Sequence, residues 1–320
     1  MRRVLVATAV LVLGASLARA QAVQVDPSIP AYAKTSGVSG NINSVGSDTM
    51  NNMMALWAET FRKMYPNVKI QIEGKGSGTA PPALIAGTSQ FGPMSRPMKA
   101  AEADQFEAKY GYKPTQIRTS YDALAVYVNK DNPLEKATLA QVDSVFSKTR
   151  RRGGKAVKTW GDLALTGDWA ARPVSIYGRN SASGTYGFFK EHVLQNGDYR
   201  DEVKEQPGSA SVVQGVTEDR FGIGYSGVGY RTSGVKILQL ADKEGGTYYD
   251  GSYANVTSGK YPLSRFLYIY INKAPGKPLD PLVKEYIKLI LSKEGQEVVV
   301  KDGYLPLSES IVAEELKKLE

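Results

Sequence analysis

Residues 173–197 read PVSIYGRNSASGTYGFFKEHVLQNG, in which a β-prone run, a loop of small polar residues and a helix-like run follow one another directly. Residues 173–177 are predicted to form a strand, and residues 186–195 a helix that ends before Gly197. The first N–H groups of such a helix lack partners within it and point outward, where hydroxyl groups of the loop add further donors. This junction is therefore a candidate anion-binding site.

The same order of residue types occurs twice earlier in the chain. Residues 46–49 read Gly-Ser-Asp-Thr after a short strand and before a helix, and residues 74–79 read Gly-Lys-Gly-Ser-Gly-Thr after an alternating strand. Serine and threonine also cap ordinary helices and glycine is common in turns, so each loop alone has a structural explanation. Three such loops in one chain, one of them with Arg179, indicate anion binding.

The rest of the chain continues this alternation. Residues 123–128 and 266–271 are β-prone, while residues 139–147 and 281–292 have helical spacing. Strands that alternate with helices predict an α/β protein with largely parallel sheets, in which ligands bind beyond the carboxyl ends of the strands. A length of 320 residues suggests two domains at about 150 residues each.

The N-terminus has the pattern of a secretory signal peptide. Arg2 and Arg3 precede an apolar run over residues 4–13, and a small-x-small site ends at Ala20. The apolar run is too short to cross a membrane in the mature protein. Cysteine is absent, which excludes the lipid anchor of bacterial lipoproteins. We expect a protein that is cleaved after Ala20 and released into the periplasm.

Composition excludes several classes of site. Without cysteine and with one histidine, His192, the chain cannot build thiol nucleophiles, disulfides, iron–sulfur clusters or zinc sites of the Cys/His kind. Acidic residues are scattered, so neither a metal site nor a cofactor is predicted. Loss of the signal lowers the formal charge from +8 to +5, and the basic run between residues 148 and 158 has no interleaved aromatics. Nucleic acid is therefore not an expected partner.

Catalytic motifs are also missing. The chain has neither the phosphate-loop pattern of nucleotide hydrolases nor the G-x-S-x-G turn of serine hydrolases. Residues 222–227 match G-x-G-x-x-G, but no helix follows them, which favours a closely packed strand. His192 lies on a predicted helix and is interpreted as a histidine that is either at the surface or hydrogen-bonded within the fold, not as a catalytic one. No catalytic residue is predicted.

At its three loops the sequence resembles the phosphate-binding proteins of bacterial phosphate ABC transporters, a branch of the periplasmic substrate-binding proteins. The resemblance extends from Gly46 to Pro306, and Arg179 with the Ser-Gly-Thr of residues 183–185 is its most specific element. The other matching segments are residues 46–50 (GSDTM), 76–78 (GSG), 91–97 (FGPMSRP), 295–296 (GQ) and 303–304 (GY).

The resemblance implies the two-lobed fold of type II binding proteins, with one dehydrated phosphate in the cleft between the lobes. The sequence itself predicts a signal peptide (1–20) and a flexible leader (21–40), which is polar and lacks an apolar period; the resemblance adds a first lobe (41–120 with 262–320) and a second lobe (121–261). Carried over by position, the phosphate donors are Thr49, the Met50 N–H and Ser77 from the first lobe, and Arg179, Ser183, the Gly184 N–H and Thr185 from the second.

The sequence departs from the family at one position. Family members commonly have an aspartate in the loop after the second strand, where it accepts the proton that phosphate carries and sulfate lacks. Ser95 stands there in this chain. A hydroxyl can accept that hydrogen bond but does not repel a fully ionised anion, so Asp48 and Asp122 are alternative acceptors.

The sequence thus predicts a monomeric binding protein, not an enzyme, that delivers inorganic phosphate to a membrane permease. One alternative is a secreted phosphatase or another phosphoryl-handling enzyme, for which no convincing nucleophile, base or metal is present. A second is a binding protein for another oxyanion, sulfate or molybdate. A third is a surface or biofilm-associated protein that retains the fold.

Overall fold

The computed structural model describes residues 23–320 of the chain. The predicted signal peptide, residues 1–20, lies outside the described residues. The described chain alternates strands with helices, which confirms the α/β class. In chain order these are β1 (Gly40–Val45), α1 (Asn51–Met64), β2 (Val68–Glu73), α2 (Ala80–Ala86), β3 (Gly92–Met94), α3 (Ala100–Tyr110), β4 (Thr115–Asn129), β5 (Lys136–Thr138), α4 (Leu139–Phe146), β6 (Ser175–Arg179), α5 (Gly184–His192), β7 (Lys204–Gln206), α6 (Ser209–Glu218), β8 (Gly222–Gly227), β9 (Val235–Ile237), β10 (Gln239–Ala241), α7 (Tyr253–Thr257), β11 (Ser264–Ile271), α8 (Pro281–Ile290), α9 (Lys293–Lys301) and α10 (Glu309–Lys317).

Helix α1 shows how the sequence produces these elements. Its buried residues, among them Met53, Trp57 and Phe61, recur at helical spacing and face the core. The Trp57 indole N–H donates to the Gly295 carbonyl at 2.8 Å, which ties α1 to α9. The helix ends at Met64, two residues before Pro66. Among residues 23–320 no helix is long and apolar enough to cross a membrane.

The main sheet is mixed. Its strand order is β3-β11-β4-β8-β6-β7, and β9 also pairs with β4. Pairs of β6 with β7 and β8 are parallel, whereas β4 runs antiparallel to β11, β8 and β9. The prediction of largely parallel sheets was therefore wrong around β4. The reason is that the chain returns in the opposite direction on both sides of this 15-residue strand, as β11 on one side and as β8 and β9 on the other.

Two large apolar clusters make the fold two-lobed. The first draws on residues 29–117 and 267–319, and the second on residues 123–263 with Leu305. Ile117 of β4 belongs to the first cluster and Leu124 of the same strand to the second. We call the two parts the first and the second lobe. Strand β4 passes from one to the other, so it joins them.

The segment before β1 packs against the first lobe. Residues 23–39 contain no helix or strand, yet Ile29 is buried in the first cluster. The Tyr32 hydroxyl donates to the Glu285 carboxylate at 2.8 Å, and the Lys293 N–H donates to the Pro30 carbonyl at 3.0 Å. The sequence predicted a flexible leader over residues 21–40 because it lacks an apolar period. Two isolated anchors, Ile29 and Tyr32, hold it on α8 and α9 instead.

Candidate functional site

Four hydroxyl groups meet where the two lobes touch. The Thr49 and Thr185 hydroxyl oxygens are 2.8 Å apart, and Thr185 lies 3.5 Å from the Ser95 hydroxyl. Ser95 is in turn 3.2 Å from the Ser77 hydroxyl. Three of these residues belong to the first lobe and Thr185 to the second, and all four are buried. We call this group the hydroxyl cluster.

The strand ends of the first lobe explain why three of these hydroxyls lie together. Strands β1 and β2 are parallel neighbours, and Ser44 of β1 bridges to Phe91 just before β3. Their carboxyl ends therefore meet at one edge, from which the loops carry Thr49, Ser77 and Ser95. The Ser95 N–H donates to the Ser77 hydroxyl oxygen at 3.0 Å, which fixes two of the loops against each other.

Helix α5 brings the second lobe to the same place. The Ser183 hydroxyl oxygen caps this helix and accepts hydrogen bonds from the Thr185 N–H (3.1 Å) and the Tyr186 N–H (3.3 Å). A Cβ atom on Gly184 would lie 2.2 Å from the Ser77 hydroxyl and 2.6 Å from that of Ser95. Only glycine at position 184 therefore allows the two lobes to approach this closely.

Two tyrosines hold the loop that carries Thr49. The Tyr304 hydroxyl donates to the Thr49 carbonyl at 2.9 Å, and the Tyr230 hydroxyl donates to the Asp48 carbonyl at 3.0 Å. Burial raises the pKa of both phenols above the usual range, so both remain donors at neutral pH. The loop ends at Met50, whose side chain is buried and whose backbone leads into α1. The predicted Met50 donor thus lies at a helix start beside Thr49.

Arg179 lies at the end of β6, with 1% of its surface exposed. One terminal nitrogen donates to the Ser209 hydroxyl at 2.7 Å, and the other lies 3.1 Å from the Asp48 carboxylate. Its Nε is buried and has no hydrogen-bond partner among residues 23–320. Burial lowers the pKa of this guanidinium, and the Asp48 carboxylate opposes that change. The Nε–H of Arg179 is therefore available to an additional acceptor.

Both predicted carboxylates are ion-paired. Asp48 contacts Arg179, and the same oxygen accepts a hydrogen bond from the Ser209 N–H at 2.8 Å, where α6 begins. Asp122 is fully buried and accepts two hydrogen bonds from Arg265, at 2.9 and 2.7 Å. Its second oxygen accepts one from the Val228 N–H at 3.0 Å. Each acid balances one arginine, so the four groups together carry no formal net charge.

Arg265 and Ser209 were missed by the sequence analysis. Arg265 donates to the Thr185 hydroxyl oxygen at 3.0 Å and to the Ser95 carbonyl at 2.7 Å. It lies on the buried face of β11, the same face as Leu267 and Ile269. An arginine at a core position of an alternating strand is a signal that could have identified it. Ser209 carries no comparable signal.

Among residues 23–320, the cluster hydroxyls bond to one another, to the Ser95 N–H and to Arg265, and to no histidine or carboxylate that could act as a base. His192 stacks on the Phe188 ring, and its Nδ1 lies 3.1 Å from the Phe188 carbonyl. Within the part of the chain that the structure describes, no three His, Cys, Asp or Glu side chains are grouped to hold a metal ion. Hydroxyls, helix starts and one free guanidinium donor suit a tetrahedral oxyanion, which presents several acceptor oxygens at once.

Comparisons with known proteins identify the family of this chain. Residues 31–294 match the model of the PBP superfamily domain. The phosphate-binding protein PstS of Pseudomonas aeruginosa is 56% identical over 320 residues, which cover 100% of this chain and 99% of that protein. PstS of Staphylococcus haemolyticus is 30% identical over 285 residues, 88% of this chain and 85% of its own. The crystal structure of an ABC-type phosphate transport receptor from Vibrio cholerae has the same fold, with a TM-score of 0.65 at 20% identity over 83% of this chain and 100% of that one. The chain belongs to the PBP superfamily and, within it, to the family of PstS phosphate-binding proteins.

Proposed function

We propose that this protein binds one inorganic phosphate ion between its lobes and delivers it to the permease of a phosphate ABC transporter. The observation that carries the proposal is the buried hydroxyl cluster, which combines Thr49, Ser77 and Ser95 of one lobe with Thr185 of the other. Its PstS relatives are named for phosphate binding. The protein binds and releases its ligand and catalyses no reaction.

The energetics of anion burial explain why so many fixed donors are needed. A phosphate ion that leaves water loses strong hydration, and the protein must replace it with hydrogen bonds already in position. The hydroxyl cluster, the starts of α1 and α5 near Met50 and Gly184, and the free Nε of Arg179 supply them. Because Asp48 and Asp122 neutralise the two arginines, helix starts and hydroxyl dipoles provide the remaining attraction.

The cellular setting belongs to the same proposal. We place the protein in the periplasm as a monomer, with its lobe boundaries at residues 120–121, within β4, and 261–262, just before β11. The signal-like pattern of residues 1–20 supports export. A permease that accepts phosphate from such a carrier must open the cleft, because the hydroxyl cluster is buried in the closed form.

Selectivity against sulfate supplies the first test. We expect Asp122 to accept the phosphate proton, because it is fully buried, Arg265 links it to Thr185 of the hydroxyl cluster, and its Val228-bound oxygen has a second lone pair. Sulfate, which carries no proton, would face this carboxylate as acceptor against acceptor, a clash worth several kcal/mol or about 100-fold or more in affinity. Equilibrium dialysis with radiolabelled phosphate and sulfate as competitor measures this preference.

Two amide variants assign the selecting group. In Asp122→Asn we expect sulfate to compete within about tenfold of phosphate, because an amide can also donate. In Asp48→Asn both anions should weaken together and the preference should survive, since Asp48 already holds Arg179 and the Ser209 N–H. Strong discrimination in both variants would exclude both carboxylates and leave Ser95 as the selecting residue.

A further inference from the structure

We propose that Arg265 is a positioning residue for phosphate binding, which turns the Thr185 hydroxyl into a donor toward the anion. The inference rests on the proposed function and adds to it a residue outside the predicted donor set. A hydroxyl group has one hydrogen to donate, and its oxygen can also accept hydrogen bonds. In a cluster of hydroxyls, a hydrogen that points at a neighbouring oxygen is lost to the ligand.

The hydroxyl cluster has one such ambiguity at each of its contacts. Either oxygen can be the donor between Thr49 and Thr185, between Ser95 and Thr185, and between Ser77 and Ser95. An anion presents acceptors only, so it is bound well only when the hydrogens point at it. A group that can only donate occupies one lone pair of a hydroxyl oxygen and so favours the arrangement in which that hydroxyl donates to its other neighbours.

Two such groups are present, one at Ser77 and one at Thr185. The Ser95 N–H donates to the Ser77 hydroxyl oxygen at 3.0 Å, and an Arg265 terminal nitrogen donates to the Thr185 hydroxyl oxygen at 3.0 Å. A backbone N–H and a guanidinium have no acceptor function. Ser77 and Thr185 therefore each accept a hydrogen bond from a donor-only group, and their own hydrogens are available to a neighbouring hydroxyl or the ligand.

The position of Arg265 is fixed by its other contacts. Asp122 accepts from Nε at 2.9 Å and from one terminal nitrogen at 2.7 Å, while the other terminal nitrogen donates to the Ser95 carbonyl at 2.7 Å. The guanidinium also lies 5.2 Å from the centre of the Phe188 ring of α5. Because Asp122 balances its charge, Arg265 acts by orienting Thr185 rather than by adding positive charge to the cleft.

A double-mutant cycle on the full-length protein tests this role. Arg265→Lys keeps the charge beside Asp122, but one ammonium nitrogen cannot also reproduce the fork toward Ser95 and Thr185. Thr185→Val removes the hydroxyl that Arg265 is inferred to orient, and Thr185→Ser keeps it as the matched control. Dissociation constants for radiolabelled phosphate are measured by equilibrium dialysis, and circular dichroism with thermal unfolding checks that each variant folds.

We expect Arg265→Lys to weaken phosphate binding about tenfold in the parent and in Thr185→Ser, the loss of one oriented hydrogen bond. In Thr185→Val the same change should cost less than about twofold, because no hydroxyl remains to orient. Equal losses in the parent and in Thr185→Val would overturn the inference, since a structural role is additive. Unchanged binding in Arg265→Lys would overturn it as well.

Two further outcomes are covered. If Arg265→Lys does not fold, the double variant Asp122→Asn with Arg265→Gln takes its place in the cycle, and Asp122→Asn alone serves as the reference. The loss of phosphate affinity caused by Arg265→Gln should again be smaller in Thr185→Val than with Thr185 present. Equal losses in the two backgrounds would overturn the inference. If the folded parent binds no phosphate, the proposed function fails together with the inference. A parent that binds phosphate and shows additive losses rejects the role of Arg265 alone.

Discussion

Gly184→Ala is expected to abolish tight phosphate binding while leaving the protein folded. The added Cβ would lie 2.2 Å from the Ser77 hydroxyl and 2.6 Å from that of Ser95, which both belong to the other lobe. The first turn of α5 accepts alanine readily, and alanine favours a helix over glycine by about 1 kcal/mol. The clash therefore exists only when the lobes are closed, and the variant should remain open.

An open cleft loses every donor that the opposite lobe contributes. With hydrogen bonds to a charged group worth about 1.5 to 3 kcal/mol each, losing two lowers the affinity about 100-fold or more. Equilibrium dialysis measures the loss, and thermal unfolding measures stability. Gly187→Ala on the same helix is the matched control, since its Cβ would approach the Arg96 side chain no closer than 3.3 Å, compared with 2.2 Å at Gly184. A Gly184→Ala protein with parental affinity would contradict closure at this contact.

Arg179→Ala should also cause a large loss of affinity. The substitution removes the unused Nε donor and leaves Asp48 without its cation, so a second negative charge would have to enter the cleft beside an unpaired carboxylate. Breaking one partner of a buried charge pair costs about 2 to 5 kcal/mol, or about 30-fold to several thousand-fold in affinity. Dialysis at several salt concentrations measures the effect.

The companion variants separate charge from packing. Arg200→Ala, another packed arginine of the second lobe that pairs with Glu202, should bind phosphate like the parent. Arg179→Ala combined with Asp48→Asn should recover part of the affinity, because it removes the unpaired carboxylate. If Arg179→Ala alone binds as tightly as the parent, Arg179 does not belong to the site.

The local sequence was sufficient to predict the anion-binding loops, but it was insufficient to predict which distant residues form ion pairs at the site. Thr49, Ser77 and Thr185 each lie in a short segment between a strand and the first turn of the following helix, a signal contained within a few residues, and the structure brings them together. The pair between Asp122 and Arg265 joins residues 143 positions apart. No local pattern predicts such a pair. The sequence therefore presents Asp48 and Asp122 as free acceptors, whereas in the structure each forms an ion pair with an arginine.

The same limit explains the differences in the fold. The apolar run of β4 predicts a strand but not that β11 and β8 both pair with it in antiparallel register. Residues 23–39 lack an apolar period, and single side chains such as Ile29 and Tyr32 carry their packing. Hydrophobic periodicity reveals a segment that buries one face through many regularly spaced residues. It does not reveal which strands pair, and it misses a segment that is held by a few isolated side chains.

Small-angle X-ray scattering during a phosphate titration tests the central claim most directly, namely that one phosphate ion holds the two lobes together. Protein stripped of phosphate should have a larger radius of gyration than protein in saturating phosphate. The decrease should end at one phosphate per chain, and sulfate at the same concentrations should not produce it. Identical profiles with and without phosphate, while dialysis shows that phosphate is bound, would contradict the account.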